Sequence, residues 1–178
     1  MIARRALLSL FALGFVLLAT ASSALAQAEK PNKAFAGKIM LSEKRFPSSG
    51  KSLADFNAKI KKQSKVNFTE NKEKQEWKIH FIGFLKQPLN DIEYLVKIYE
   101  IGRGGNQVLA SFEQFADQRG QASLISNMTL ERKVVGVNKQ LMITMENRGK
   151  VLASARFKIL GEGERFSGKV DFSEDEAE

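Results

Sequence analysis

The chain has no cysteine, one histidine and three prolines in 178 residues. Without cysteine there is no disulfide, no thiol nucleophile and no thiolate metal site, so the core alone must hold the fold. One histidine, His80, excludes any site built on two histidines of the same chain, including H-E-x-x-H zinc chemistry. No G-x-S-x-G elbow occurs, and a Ser-His-Asp triad would have to recruit His80 from mid-strand. EF-hand spacing is absent. After residue 21 no apolar run approaches the ~20 residues that span a bilayer as a helix. No motif calls for a cofactor, a metal or a nucleotide.

The first segment is what an exported chain needs. Arg4 and Arg5 supply a cationic start, residues 6–21 an apolar middle of about sixteen residues, and Ala24-Leu25-Ala26 a small-residue end. Residues 1–26 are expected to be a signal peptide cleaved between Ala26 and Gln27. No lipid-anchor cysteine follows. The mature chain is expected to be periplasmic or secreted, with no stable transmembrane segment.

Charge is uneven. Losing Arg4 and Arg5 lowers the net charge from +8 to +6. Residues 38–78 carry 11 basic and 5 acidic residues, and residues 173–178 carry four acidic residues and no basic one. Residues 27–33 are polar and read as a flexible leader, and 173–178 as an acidic disordered tail. Between them, residues 34–172 read as one domain, a length sufficient for a self-supporting core.

Hydrophobic periodicity makes this domain mostly β. Leu53, Phe56 and Ile60 recur at helical spacing after Ser52, an N-cap residue with Asp55 three positions on, so a short helix is expected near 52–62. Thereafter the period is two. Strands are expected over 35–41, 76–84, 92–101, 108–115, 123–130, 141–146, 151–159 and 166–172. Ile92, Tyr94, Val96 and Ile98 would line one face, and so would Val151, Ala153, Ala155, Phe157 and Ile159. Asn147-Arg148-Gly149 is expected to close a three-residue hairpin. About eight strands with polar outward positions predict an antiparallel two-sheet sandwich, immunoglobulin-like or similar; a small barrel is the other architecture.

The catalytic candidates are thin. Gly50-Lys51-Ser52 ends like a phosphate-binding loop, but Arg45 stands where the first glycine belongs, so a helix N-cap is the better reading. Ser48-Ser49-Gly50-Lys51 matches S-x-x-K, without the S-D-N and K-T-G elements of penicillin-recognising enzymes. Asn67-Phe68-Thr69 and Asn127-Met128-Thr129 are glycosylation sequons by pattern, in segments that read as strands. Glu162 and Glu164 read as a solvated turn. No catalytic residue is assigned.

The lysines of residues 51–78 are the remaining feature. Lys59, Lys61, Lys62 and Lys65 are the candidates for contact with an anionic surface, such as lipid head groups or an envelope polymer. The competing readings are a solvated face, or a patch covered by the acidic tail. The segment Trp77-Lys-Ile-His80-Phe-Ile-Gly-Phe-Leu85-Lys-Gln-Pro88-Leu, followed by an alternating strand and a glycine-rich turn, resembles exported bacterial β-rich proteins of unknown function. That resemblance implies neither an activity nor site residues. The functional expectation is an exported non-enzymatic binding or accessory protein of the bacterial envelope. The alternatives are a structural subunit binding another envelope protein, marked by an open strand edge or apolar patch, and a small secreted hydrolase with a carboxylate pair.

Overall fold

A computed structural model describes residues 29–102 and 105–161. The expected signal peptide, its cleavage site, the strand over 166–172 and the acidic tail lie outside the described residues. The elements run β1 (Lys38–Ser42), α1 (Leu53–Gln63), β2 (Asn67–Thr69), β3 (Glu76–Phe84), β4 (Glu93–Gly102), β5 (Gly105–Phe115), β6 (Ser123–Glu131), α2 (Arg132–Val135), β7 (Lys139–Asn147) and β8 (Lys150–Leu160).

The strands form one hydrogen-bonded path, β5-β4-β7-β8-β1-β3-β6, with β2 also paired to β8. The path curls so that its inner side encloses the main core. This differs from the two separate sheets expected. The joint is β8: one edge pairs antiparallel with β7, the other pairs in parallel with β2 and, at Lys38–Ser154, with β1. Parallel partners are joined by long connections and leave no hairpin signature, so alternation alone does not reveal this joint.

Two apolar clusters occupy the two faces of β3. Inward, Trp77, Ile79 and Phe81 meet Val96, Ile98, Leu141, Ile143, Met145 and Phe157, all buried. Outward, Ile82 and Phe84 are covered by Ile60 and Phe56 of α1, with Phe35 and Phe46 completing the patch. The run that turns apolar on both faces at the end of β3 is therefore sandwiched between core and helix. Ser52 caps α1 as expected, its hydroxyl accepting the Asp55 N–H at 3.1 Å, while Asp55 accepts the Lys51 N–H at 2.9 Å. Gly50-Lys51-Ser52 is the entry to this helix.

Some expectations shift. Leu53, the first residue of α1, is exposed. Ile92 and Val151 are also exposed: Ile92 precedes β4, and Val151 sits beside the hairpin where the β7–β8 register shifts. That hairpin has two turn residues, not three, since Asn147 pairs with Lys150 and both Arg148 (φ 50°) and Gly149 (φ 77°) are left-handed. This conformation twists with the strands it joins. Of the leader, Glu29 accepts the Ala122 and Ser123 N–H groups, and Asn32 donates to Asn57 at 2.6 Å. The described leader residues are thus held against the domain. Both sequons lie in strands, Asn67–Thr69 in β2 and Asn127–Thr129 in β6.

Candidate functional site: a lysine-lined groove

Burial of Ile60 fixes the rotation of α1. With Ile60 turned into the outer cluster, Lys59 and Lys62 project along the flank of the helix that faces the end of β1. There a groove of about 440 Å³ is lined by Ser42, Glu43, Lys44, Lys59, Lys62, Gln63 and Lys65. Gln63 builds its floor: the side-chain amide donates to the Lys44 carbonyl at 2.7 Å, the Arg45 carbonyl at 2.8 Å and the Ser42 hydroxyl at 3.2 Å. The helix is closed by Ser64, whose hydroxyl donates back to the Ile60 carbonyl at 2.6 Å. The chain then returns to β1 through the Lys65 N–H and the Leu41 carbonyl at 2.8 Å.

Three of the four lysines singled out in the sequence meet here. Lys61 does not, since it points from the opposite flank of α1. Lys44 and the positioning residues Ser42 and Gln63 join the site without a sequence signal; only the return of the chain from α1 to β1 places them. Lys65 pairs with Glu43 at 2.6 Å and Lys59 with Asp55 at 2.8 Å, all four side chains being at least a third exposed. Ion pairs this exposed contribute little and exchange readily for another anion. Lys44 and Lys62 have no ion-pair partner among the described residues. The Lys59 and Lys51 contacts hold the Asp55 carboxyl below the usual range.

The positive field extends past the groove. His80, half-buried on the outer face of β3, pairs across to Ser42. Burial, and then the charges of Lys78 and Arg45, lower its proton affinity. His80 thus sits on the face shared with Lys78 and Ile82, as its alternation indicated.

Two buried carboxylates escaped the sequence reading. Glu70 is gripped by Arg132 through two hydrogen bonds, to Nε at 2.8 Å and to the terminal nitrogen at 2.5 Å. Glu146 takes Lys97 at 2.6 Å, Thr144 at 2.8 Å and the Tyr99 hydroxyl at 3.0 Å. Burial pushes the Glu146 carboxyl up, but these three hydrogen bonds outweigh it and leave the group below its ordinary value. Neither pair has a sequence signature, because the partners are 62 and 49 residues apart. A second hollow of about 280 Å³ lies where the start of β6 faces the end of β5, lined by Tyr94, Phe115, Asp117, Ser123 and Ile125 among others. Burial, then the Asp117 charge, pushes the Tyr94 hydroxyl up to about 12. No described helix is long and apolar enough to cross a membrane. Among the described residues no cluster of three or more acidic, histidine or cysteine side chains could hold a metal.

No protein-family model matches the chain, and no curated protein is significantly similar to it. Among solved structures, the chain is similar to an immunoglobulin-like protein from Pseudomonas aeruginosa, at 16% identity and a TM-score of 0.38, over 75% of this chain and 98% of that one.

Proposed function

We propose that this is an exported, non-enzymatic accessory domain of the bacterial envelope that engages an anionic surface through the groove of Lys44, Lys59, Lys62 and Lys65. One observation carries the reading: four lysines line a single groove in which, among the described residues, the one lining carboxylate, Glu43, is already shared with Lys65, and Lys59 is held by Asp55. Such a site suits repeated phosphates or carboxylates, as on lipid head groups or an envelope polymer, better than one small ligand. It is open and lysine-rich, and lacks the bidentate arginine that orients a single anion. The buried carboxylates support a non-enzymatic reading. Each is held by a cation, and Glu146 is shifted in the direction opposite to that of a general acid. The sequence supports export, through the Arg4-Arg5 start and the Ala26–Gln27 cleavage site.

The test is cosedimentation of the mature protein with anionic and with neutral phospholipid vesicles. Retention on anionic vesicles is expected at low salt and release by ~0.5 M salt, where screening shortens to a few ångströms. Lys44→Glu with Lys62→Glu should abolish retention. Lys133→Glu with Lys150→Glu makes the same charge change elsewhere and should leave most of it. Equal loss in both double variants would mean that net charge, not the groove, does the binding.

The exposed Phe115 and Ile125 beside the second hollow favour one other reading, an apolar contact with another envelope protein. A partner kept through high salt and lost with Phe115→Ser would select it over the lysine groove.

A further inference from the structure

The one histidine of the chain stands beside the lysine groove. On the outer face of β3, His80 pairs directly across to Ser42 of β1, and Ser42 lines the groove. Directly opposed residues of an antiparallel pair hold their Cβ atoms ~5 Å apart, so one side chain separates the imidazole from the groove. Ser42 is buried and fixed: its hydroxyl accepts the Lys44 N–H at 3.0 Å and the Gln63 amide at 3.2 Å. The same amide holds the Arg45 carbonyl at 2.8 Å. Groove and imidazole thus share one hydrogen-bonded wall.

The charges that act on His80 are cations, Lys78 on its own strand and Arg45 between β1 and α1. Its other neighbours on this face are neutral. They are Ile82 on β3, Ser42 and Met40 across on β1, and Asn127 across on β6 with Ile125 and Thr129 on either side. Ile60 of α1 covers Ile82. Glu43, next to Ser42, is held by Lys65 at 2.6 Å. Glu76 and Glu131, paired with each other, lie four residues along the strands, ~13 Å away, and Glu131 is held by Lys133 at 2.6 Å. Burial and the two cations therefore hold the imidazole below its usual range. An anion seated in the groove opposes that field, because charges act over ~10 Å at 0.1 M salt. Granting the anion-binding groove proposed above, we infer that His80 protonation and anion binding are coupled, so that the groove grips a phosphodiester surface more tightly as pH falls. A bound anion favours the imidazolium, which raises the His80 midpoint in the complex above that of the free chain. By reciprocity the protonated chain binds the anion better. The gain appears as pH falls through the two midpoints and is absent above both.

With a single histidine, the untagged mature protein gives one imidazole titration by proton NMR. Retention on phosphatidylglycerol vesicles is measured from about pH 8 to about pH 5 at fixed ionic strength, a range in which imidazole titrates and a phosphodiester does not. Across it, affinity should rise at least about twofold more in the parent chain than in His80→Gln. His80→Arg, a permanent cation, should keep the low-pH retention at about pH 8. Lys44→Glu with Lys62→Glu sets fixed negative charge in the groove in place of the anion and should raise the His80 midpoint by at least ~0.3 pH. Lys133→Glu with Lys150→Glu should move it less. Trp77 fluorescence in urea checks that each variant folds. No retention at any pH overturns the groove as an anion site, and this coupling with it. Retention that needs Lys44 and Lys62 but follows the same pH profile in His80→Gln overturns the coupling alone. So does a His80 midpoint unmoved by the two groove substitutions.

Discussion

Gly83 is the next-to-last residue of β3, inward-facing, with Met145 of β7 filling the space above it. A Cβ at Gly83 would stand 2.1 Å from Met145 Sδ and 2.6 Å from Cε. Ordinary contact between such atoms is ~3.5–4 Å, so a methyl group there requires the thioether to retreat by well over an ångström. Met145 is fully buried, with Val96 of β4 and Ala153 of β8, both buried, at the paired positions on either side of it. Overpacking of this kind costs ~1–3 kcal/mol. Removing a strand glycine returns ~0.5–1 kcal/mol through the unfolded state. Gly83→Ala should therefore destabilise by ~1–2 kcal/mol net. The single tryptophan, Trp77, is 1% exposed and reports global unfolding by fluorescence in urea. A fall in midpoint at constant slope measures the loss. In a Met145→Val background the obstructing sulfur and methyl are gone, and Gly83→Ala should be neutral or stabilising, a coupling of at least ~1 kcal/mol. A cost below ~0.5 kcal/mol for the single change, or the same cost in both backgrounds, would refute the idea that glycine is needed here for the Met145 thioether.

Arg132→Met leaves the Glu70 carboxylate buried without its main cation and should cost ~3 kcal/mol by urea unfolding, whereas Glu70→Gln with Arg132→Met should recover a good part of it. Glu146 is held below its unfolded value, so its stabilisation is present above about pH 4.3, the unfolded carboxyl value, and is lost as pH falls through the folded one. In Lys97→Met the acid limb of thermal stability should begin at higher pH, and an unmoved limb would show that Lys97 does not govern that carboxylate. Ser52→Ala removes the cap on α1 and should cost ~0.5–2 kcal/mol. Ser52→Asp should restore most of it, and equal stability of the alanine and aspartate variants would deny the cap a role.

What the sequence determined is what neighbouring residues determine together. Alternation from Trp77 to Phe84 located β3, because one buried face imposes period two on any strand. Ser52, Asp55 and the Phe56–Ile60 spacing located α1, because caps and stripes are local chemistry. The lysine richness of residues 51–78 was equally legible, since charge is counted without knowing where the chain goes. Tertiary structure decided the rest. It brought Lys44 to Lys59, Lys62 and Lys65 and turned Lys61 away, a sorting set by which side of α1 buries Ile60. It joined the expected two sheets into one curl through the parallel edge of β8, whose partners are far off in the chain. It paired Glu70 with Arg132 and Glu146 with Lys97 across 62 and 49 residues, where no spacing rule reaches. The physical divide is contact range: periodicity, capping and composition are properties of a segment, whereas a groove, a sheet joint and a buried ion pair exist only once distant segments have been brought together.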